Sequence, residues 1–153
     1  MNEIAAIIIY CFTNKNSEYF RRTSESDSYL IFEMIMEKLP KKHFQKGEDY
    51  VKRFNSILQK MDLRLFTEIE KQGGIQTLQL VSMRWFLTGF LNEFSIDESL
   101  QLWDVVVGWP DASTPITEIF LYMGLAMLHL HRDSIMEGGN LTLMLSKIEV
   151  SAV

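Results

Sequence analysis

Between Tyr50 and Met61 the apolar residues fall at Tyr50, Phe54, Ile57, Leu58 and Met61. Those offsets are i, i+4, i+7, i+8 and i+11, one stripe of a 3.6-residue repeat, whereas a half-buried strand would alternate at every second residue. A chain with this period along most of its length can only bury itself by packing helix on helix. The residues that start and stop helices fall in step with it. Ser95-Ile96-Asp97-Glu98 has the S-x-x-E form of a capping box and fixes a helix start.

The remaining segments read the same way. Ile4 to Phe12 is a short, wholly apolar helix, and the polar stretch Thr13 to Ser24 is a loop. Ser26 or Asp27 caps a second helix that runs to about Leu39 and stops at Pro40. Asp62 restarts a helix carrying Leu65, Phe66 and Ile69, which ends at Gly73-Gly74. Leu78 to Phe94 is apolar on most sides and is expected to be enclosed by its neighbours. The helix opened by Ser95 ends near Gly108, before a loop at Trp109-Pro110. Thr114 is the next cap, with Pro115 at the first helical position. That helix runs to about Met136 and is apolar all round through Leu128; Gly138-Gly139 breaks it, and Asn140 caps a last short helix. Val105-Val106-Val107 is the most strand-like triplet, but it is too short to overrule a capped helical pattern. The expected fold is all-α, a bundle of about seven helices.

Composition narrows the function. A length of 153 residues fits one domain, and 47% apolar residues are enough for a core. A formal charge of −5 excludes a nucleic-acid role, which needs a basic face. Arg21-Arg22 and Lys41-Lys42 are basic pairs placed in loops as solvated charge. Cys11 is the single cysteine; it reads as a buried structural thiol in a reducing compartment. The apolar start carries Glu3 and no basic n-region, so it is not a signal peptide. Ile119 to Leu128 falls well short of the roughly 20 residues a bilayer span needs. The chain reads as soluble and cytoplasmic, with no transmembrane segment.

Catalytic patterns are missing. Gly73-Gly74 and Gly138-Gly139 lack the Lys-Ser/Thr of a phosphate loop and act as helix terminators. His129 and His131 lie two apart on a helix, point to different faces and cannot share a metal. No Ser-His-Asp or Cys-His pair is arranged for nucleophilic chemistry. The nine Met residues fall on helical apolar faces as core filler.

One constellation is more specific. Arg84-Trp85 is followed after seven residues by Glu93-Phe94, and after seven more by Leu102-Trp103-Asp104. The chain opens on Met1-Asn2-Glu3-Ile4. This pattern resembles the C-terminal part of a TBC domain, the module of GTPase-activating proteins for Rab GTPases. Asp27-Ser28-Tyr29, Asp62-x-x-Leu65, Phe120-Leu121 and His131-Arg132-Asp133 are similar to further family stretches in the same order. Leu78 where the family has proline, Ser82 for a common alanine and an extra residue near Gly73-Gly74 depart from it.

The resemblance implies a part played in Rab regulation and vesicle traffic, peripherally at endomembranes. In that family an Ile-x-x-Asp-x-x-Arg arginine and a Tyr-x-Gln glutamine are supplied in trans to the GTPase. The Tyr-x-Gln-Gly motif runs into Met-Asn-(Glu/Asp)-Ile, so Met1, Asn2 and Glu3 would sit beside the missing glutamine. Residues 1–153 are accordingly expected to be the C-terminal portion of the domain, begun just after that motif and inactive alone. The alternative is a non-catalytic TBC-like interaction module. No catalytic, cofactor or metal residue is assigned, since GTP and Mg would be bound by the partner GTPase. Arg84, Trp85, Glu93, Phe94, Leu102, Trp103 and Asp104 are expected to be structural, with Arg84 in a buried clamp to Asp104 or Glu93. The apolar first helix, short of neighbours, is expected to drive self-association.

Overall fold

The computed structural model describes residues 2–13, 18–110, 113–139 and 141. Eight α-helices, one 3₁₀ turn and no strand occur among the described residues. They are α1 (Asn2–Thr13), α2 (Glu18–Lys38), α3 (Gly47–Met61), α4 (Leu63–Lys71), α5 (Ile75–Thr88), α6 (Ile96–Val107), α7 (Ile116–Leu130) and α8 (Arg132–Met136), with the 3₁₀ turn at His43–Gln45. The all-α expectation holds, with one helix more than the sequence suggested.

Helix α7 is the centre. Its buried residues include Ile116, Ile119, Phe120, Leu121, Leu125 and Leu128, and they cover most of its circumference. Helices α3, α5, α6 and α8 all pack on it. A Cβ at Gly124 would meet Phe54 at 3.0 Å and Trp85 at 3.2 Å, so the absence of a side chain lets α3 and α5 close in. Phe54, Trp85 and Phe86 interlock there edge to face, the arrangement favoured by the ring quadrupoles. Helices α1 and α2 pack mainly against each other, with Ile4, Ile8, Ile35 and Leu39 turned into the common core.

Several boundaries differ from the sequence reading. Helix α2 begins at Glu18, so Glu18 to Ser24 and the Arg21-Arg22 pair are helical, not loop; residues 14–17 lie outside the described part. Ser and Asp inside a helix cost only tenths of a kcal/mol each, and packing along α1 outweighs that. Lys41-Lys42 does lie in a turn, with Lys42 left-handed at φ 66°. Met61 is exposed at the end of the α3 stripe, whereas Val51, Phe54 and Leu58 are buried. Helix α5 stops at Thr88 and does not run on to Phe94, and Leu80 on it is 71% exposed. Helix α7 starts at Ile116 with Pro115 at the cap, one residue later than expected, and a turn at His131 separates it from α8. Cys11 is half-buried. Asn140 lies outside the described residues.

Candidate functional site

The motif residues gather where α5 ends and α6 begins. Gly89 terminates α5 at φ 60°, its N–H directed to the Trp85 carbonyl. A Cβ there would lie 2.4 Å from Trp103 Cζ2, so both the backbone angle and the space demand glycine. Phe90 follows in the same left-handed region at φ 65°, a conformation that costs a non-glycine residue about 1–2 kcal/mol. The cost is met by burial: Phe90 is fully enclosed and stacks on Trp85 at 5.3 Å and on Phe94 at 6.5 Å.

Two consecutive left-handed residues turn the chain back on itself, which brings Glu93 under Arg84. The carboxylate accepts from Arg84 Nε at 2.6 Å and from Nη2 at 2.8 Å, a bidentate fork that fixes orientation as well as distance. Its burial is lopsided. The Glu93 side chain is 2% exposed and that of Arg84 42%, so the expected clamp exists with the acid buried and the base at the surface. Asp104 is exposed and is not the partner of Arg84.

Helix α6 then starts at Ser95, whose side chain accepts from Glu98 N–H while Glu98 accepts from Ser95 N–H at 2.9 Å. This capping box sets the rotation of α6 and so aims Trp103. The indole N–H of Trp103 donates to the Gly89 carbonyl at 2.9 Å, and its ring packs on Phe120 at 5.9 Å. Trp85, Phe90, Phe120 and Trp103 therefore share one interior, with Phe94 and Leu102 half-buried at its margin. Asn2 and Glu3 open α1, where a backbone hydrogen bond holds the Glu3 carboxyl below its ordinary range. Met1 lies outside the described residues.

Three ties escaped the sequence reading. His43 is buried; its Nε2 faces the Phe86 carbonyl at 3.0 Å and its Nδ1 the Tyr50 hydroxyl at 3.1 Å. A carbonyl can only accept, so Nε2 carries the proton and Nδ1 accepts from Tyr50. Burial pushes the imidazole pKa down and the Tyr50 phenol up. Asp62 both caps α4 through Leu65 N–H at 2.9 Å and accepts from Arg132 Nε at 2.6 Å, joining α4 to α8. The Arg132 hydrogen bond, with that from Leu65, holds the Asp62 carboxyl below its usual range. Lys38 donates to the Val107 carbonyl at 2.9 Å, capping α6 from the end of α2. Only Asp62 and Arg132 carried a signal, as members of two separate stretches flagged by resemblance.

Chemically this arrangement holds and orients; it offers no activated nucleophile. Among the described residues no three of His, Cys, Asp and Glu converge as metal ligands. No described helix is long and apolar enough to cross a membrane.

Comparison with known proteins yields one family. The Rab-GTPase-TBC domain model matches residues 1–136. No curated protein and no solved structure matches the chain. Since the match spans most of the 153 residues and the fold is all-helical, this chain belongs to the Rab-GTPase-TBC domain family.

Proposed function

We propose that this chain is the scaffold portion of a GTPase-activating module for Rab-family GTPases, and that it does not stimulate hydrolysis by itself. The observation that carries this reading is the joint presence of the packed Arg84–Glu93 and Trp85–Trp103 core and the absence of both working motifs. Neither Ile-x-x-Asp-x-x-Arg nor Tyr-x-Gln occurs anywhere in the sequence. Three of the arginines are occupied with carboxylates: Arg53 with Glu118, Arg84 with Glu93 and Arg132 with Asp62. An arginine held in an ion pair must give up that partner before it can reach a transferring phosphate. On this reading the module works in vesicle traffic from the cytoplasm, and GTP and Mg stay on the GTPase.

The test is single-turnover GTP hydrolysis by a panel of Rab proteins with the chain in excess. The expected result is a rate within about tenfold of the intrinsic one, because an arginine finger alone contributes roughly 10³ to 10⁵. Acceleration beyond that range would show that a side chain of this sequence does the work, and the reading would be abandoned.

A further inference from the structure

The chain passes from the α1–α2 pair to the other six helices through residues 39–46. This connection is folded on itself. His43 N–H donates to the Pro40 carbonyl at 2.9 Å, and Gln45 N–H to that of Lys42 at 2.9 Å. Lys41 and Lys42 are exposed on it, whereas His43 is only 2% exposed. The imidazole anchors the turn in the body of the molecule.

Two helices of the larger part build its seat. The chain turns left-handed at Gly89 and Phe90 as α5 ends, and the Phe90 N–H goes to the Trp85 carbonyl at 3.1 Å. The Phe86 carbonyl thereby loses the amide that would close the next helical turn, and His43 Nε2 supplies a donor in its place at 3.0 Å. From α3, the Tyr50 hydroxyl donates to Nδ1 at 3.1 Å. Both groups that face the ring nitrogens are uncharged.

This seat fits a neutral ring and not a charged one. A second proton turns Nδ1 from acceptor to donor, so the Tyr50 hydroxyl must redirect its own proton. It also places a cation in a desolvated position beside Lys41 and Lys42. The Phe86 carbonyl favours the cation, but burial outweighs it, so the imidazole resists protonation while seated.

The space next to the turn has the opposite character. A cavity of about 650 Å³ is lined by Glu33 and Glu37 of α2 and by Lys41, Lys42, His43 and Phe44 of the turn. Glu33 and Glu37 are four residues apart, so their carboxylates share one face of α2, and both are exposed. A charged ring that leaves its seat has room to move and two carboxylates to meet.

We propose that the His43 turn is an acid-sensitive latch between the two parts of the molecule. Neutral, the ring locks the turn to α3 and α5. Protonated, it withdraws towards Glu33 and Glu37, and the α1–α2 pair loosens from the other six helices. The two-state element is the turn, and the proton is the ligand that biases it.

The experiment is native-state hydrogen exchange of the full chain at pH 7.5 and 5.5, at physiological salt, with each rate corrected for the intrinsic pH dependence of exchange. A histidine with the ordinary value of about 6.5 is roughly 90% protonated at pH 5.5. Released to water, it shifts an opening equilibrium by at most about tenfold, and carboxylates that receive the ring raise this ceiling. The amides of α1 and α2 should therefore open at least about threefold more readily at pH 5.5. His43→Asn should remove that response. The double variant Glu33→Gln, Glu37→Gln changes only exposed positions and should at least halve it, which keeps the test valid if His43→Asn does not fold. An acid response confined to α3, α5 and α7 would mean that His43 stays seated while the pair opens, and the latch would be abandoned. Survival of the response in His43→Asn, or indifference to the double variant, would overturn it equally.

Discussion

Arg84 and Glu93 are an unequal pair, and the inequality predicts how each should respond to mutation. Removing the arginine strands a buried carboxylate, which costs about 1–3 kcal/mol. Neutralising the acid by Glu93→Gln keeps its shape and leaves Arg84 free to turn to water. Urea denaturation should therefore show Arg84→Ala to be clearly more destabilising than Glu93→Gln; equal losses would mean that burial does not set the cost. His43 gives the residue scale a pH signature. Its folded pKa is depressed by burial, so its contribution is fully present above the unfolded value of about 6.5 and is lost as pH falls through the folded value. The denaturation midpoint should be lower at pH 5.5 than at pH 7.5, and His43→Asn should flatten that slope. Neither behaviour follows from the local sequence around these residues. Glu93 was one of two candidates for Arg84, and His43 lies in a stretch with no periodicity to assign it to the interior.

At the scale of elements, the helix starts that were legible are those in which a side chain closes on its own backbone. Asp62 and Ser95 cap as their spacing suggests, because such hydrogen bonds need only residues three apart. The misplaced boundaries are those settled from a distance. Helix α2 starts at Glu18, ahead of the serines and Asp27 whose capping preference marked a later start. The end of α5 is set by the left-handed Gly89, hidden in a run whose apolar residues continue past it and whose packing against Trp103 comes from fourteen residues on. Asp62 shows both kinds of control at once, since it caps α4 and holds Arg132 of α8. Asp62→Ala should cost about 1–2 kcal/mol in urea denaturation, with Asp62→Asn between it and the parent because asparagine still caps. A loss confined to a few tenths would mean that the tie to Arg132 contributes nothing.

For the whole molecule, the division between the α1–α2 pair and the six helices α3 to α8 dominates. The pair is joined to the rest by a thin layer that includes Ile8, Ile35 and Trp103 and by the Lys38 cap on α6. Regions with few shared contacts open at lower free energy than the core does. Native-state hydrogen exchange should show the amides of α1 and α2 opening together, well before those of α3, α5 and α7. Lys38→Ala should widen that gap, and a single opening free energy for all helices would refute the division. A one-domain reading of the sequence is blind to this unevenness, because composition reports how much apolar surface exists and not where it is shared.

The turn at Lys41-Lys42 stands at the joint between these parts, exposed and with Lys42 left-handed. An arched, solvated pair of lysines is a substrate for trypsin. A brief digest should cut there first and release the two N-terminal helices as one fragment, so that a protease reads the molecule's weakest seam directly from its backbone.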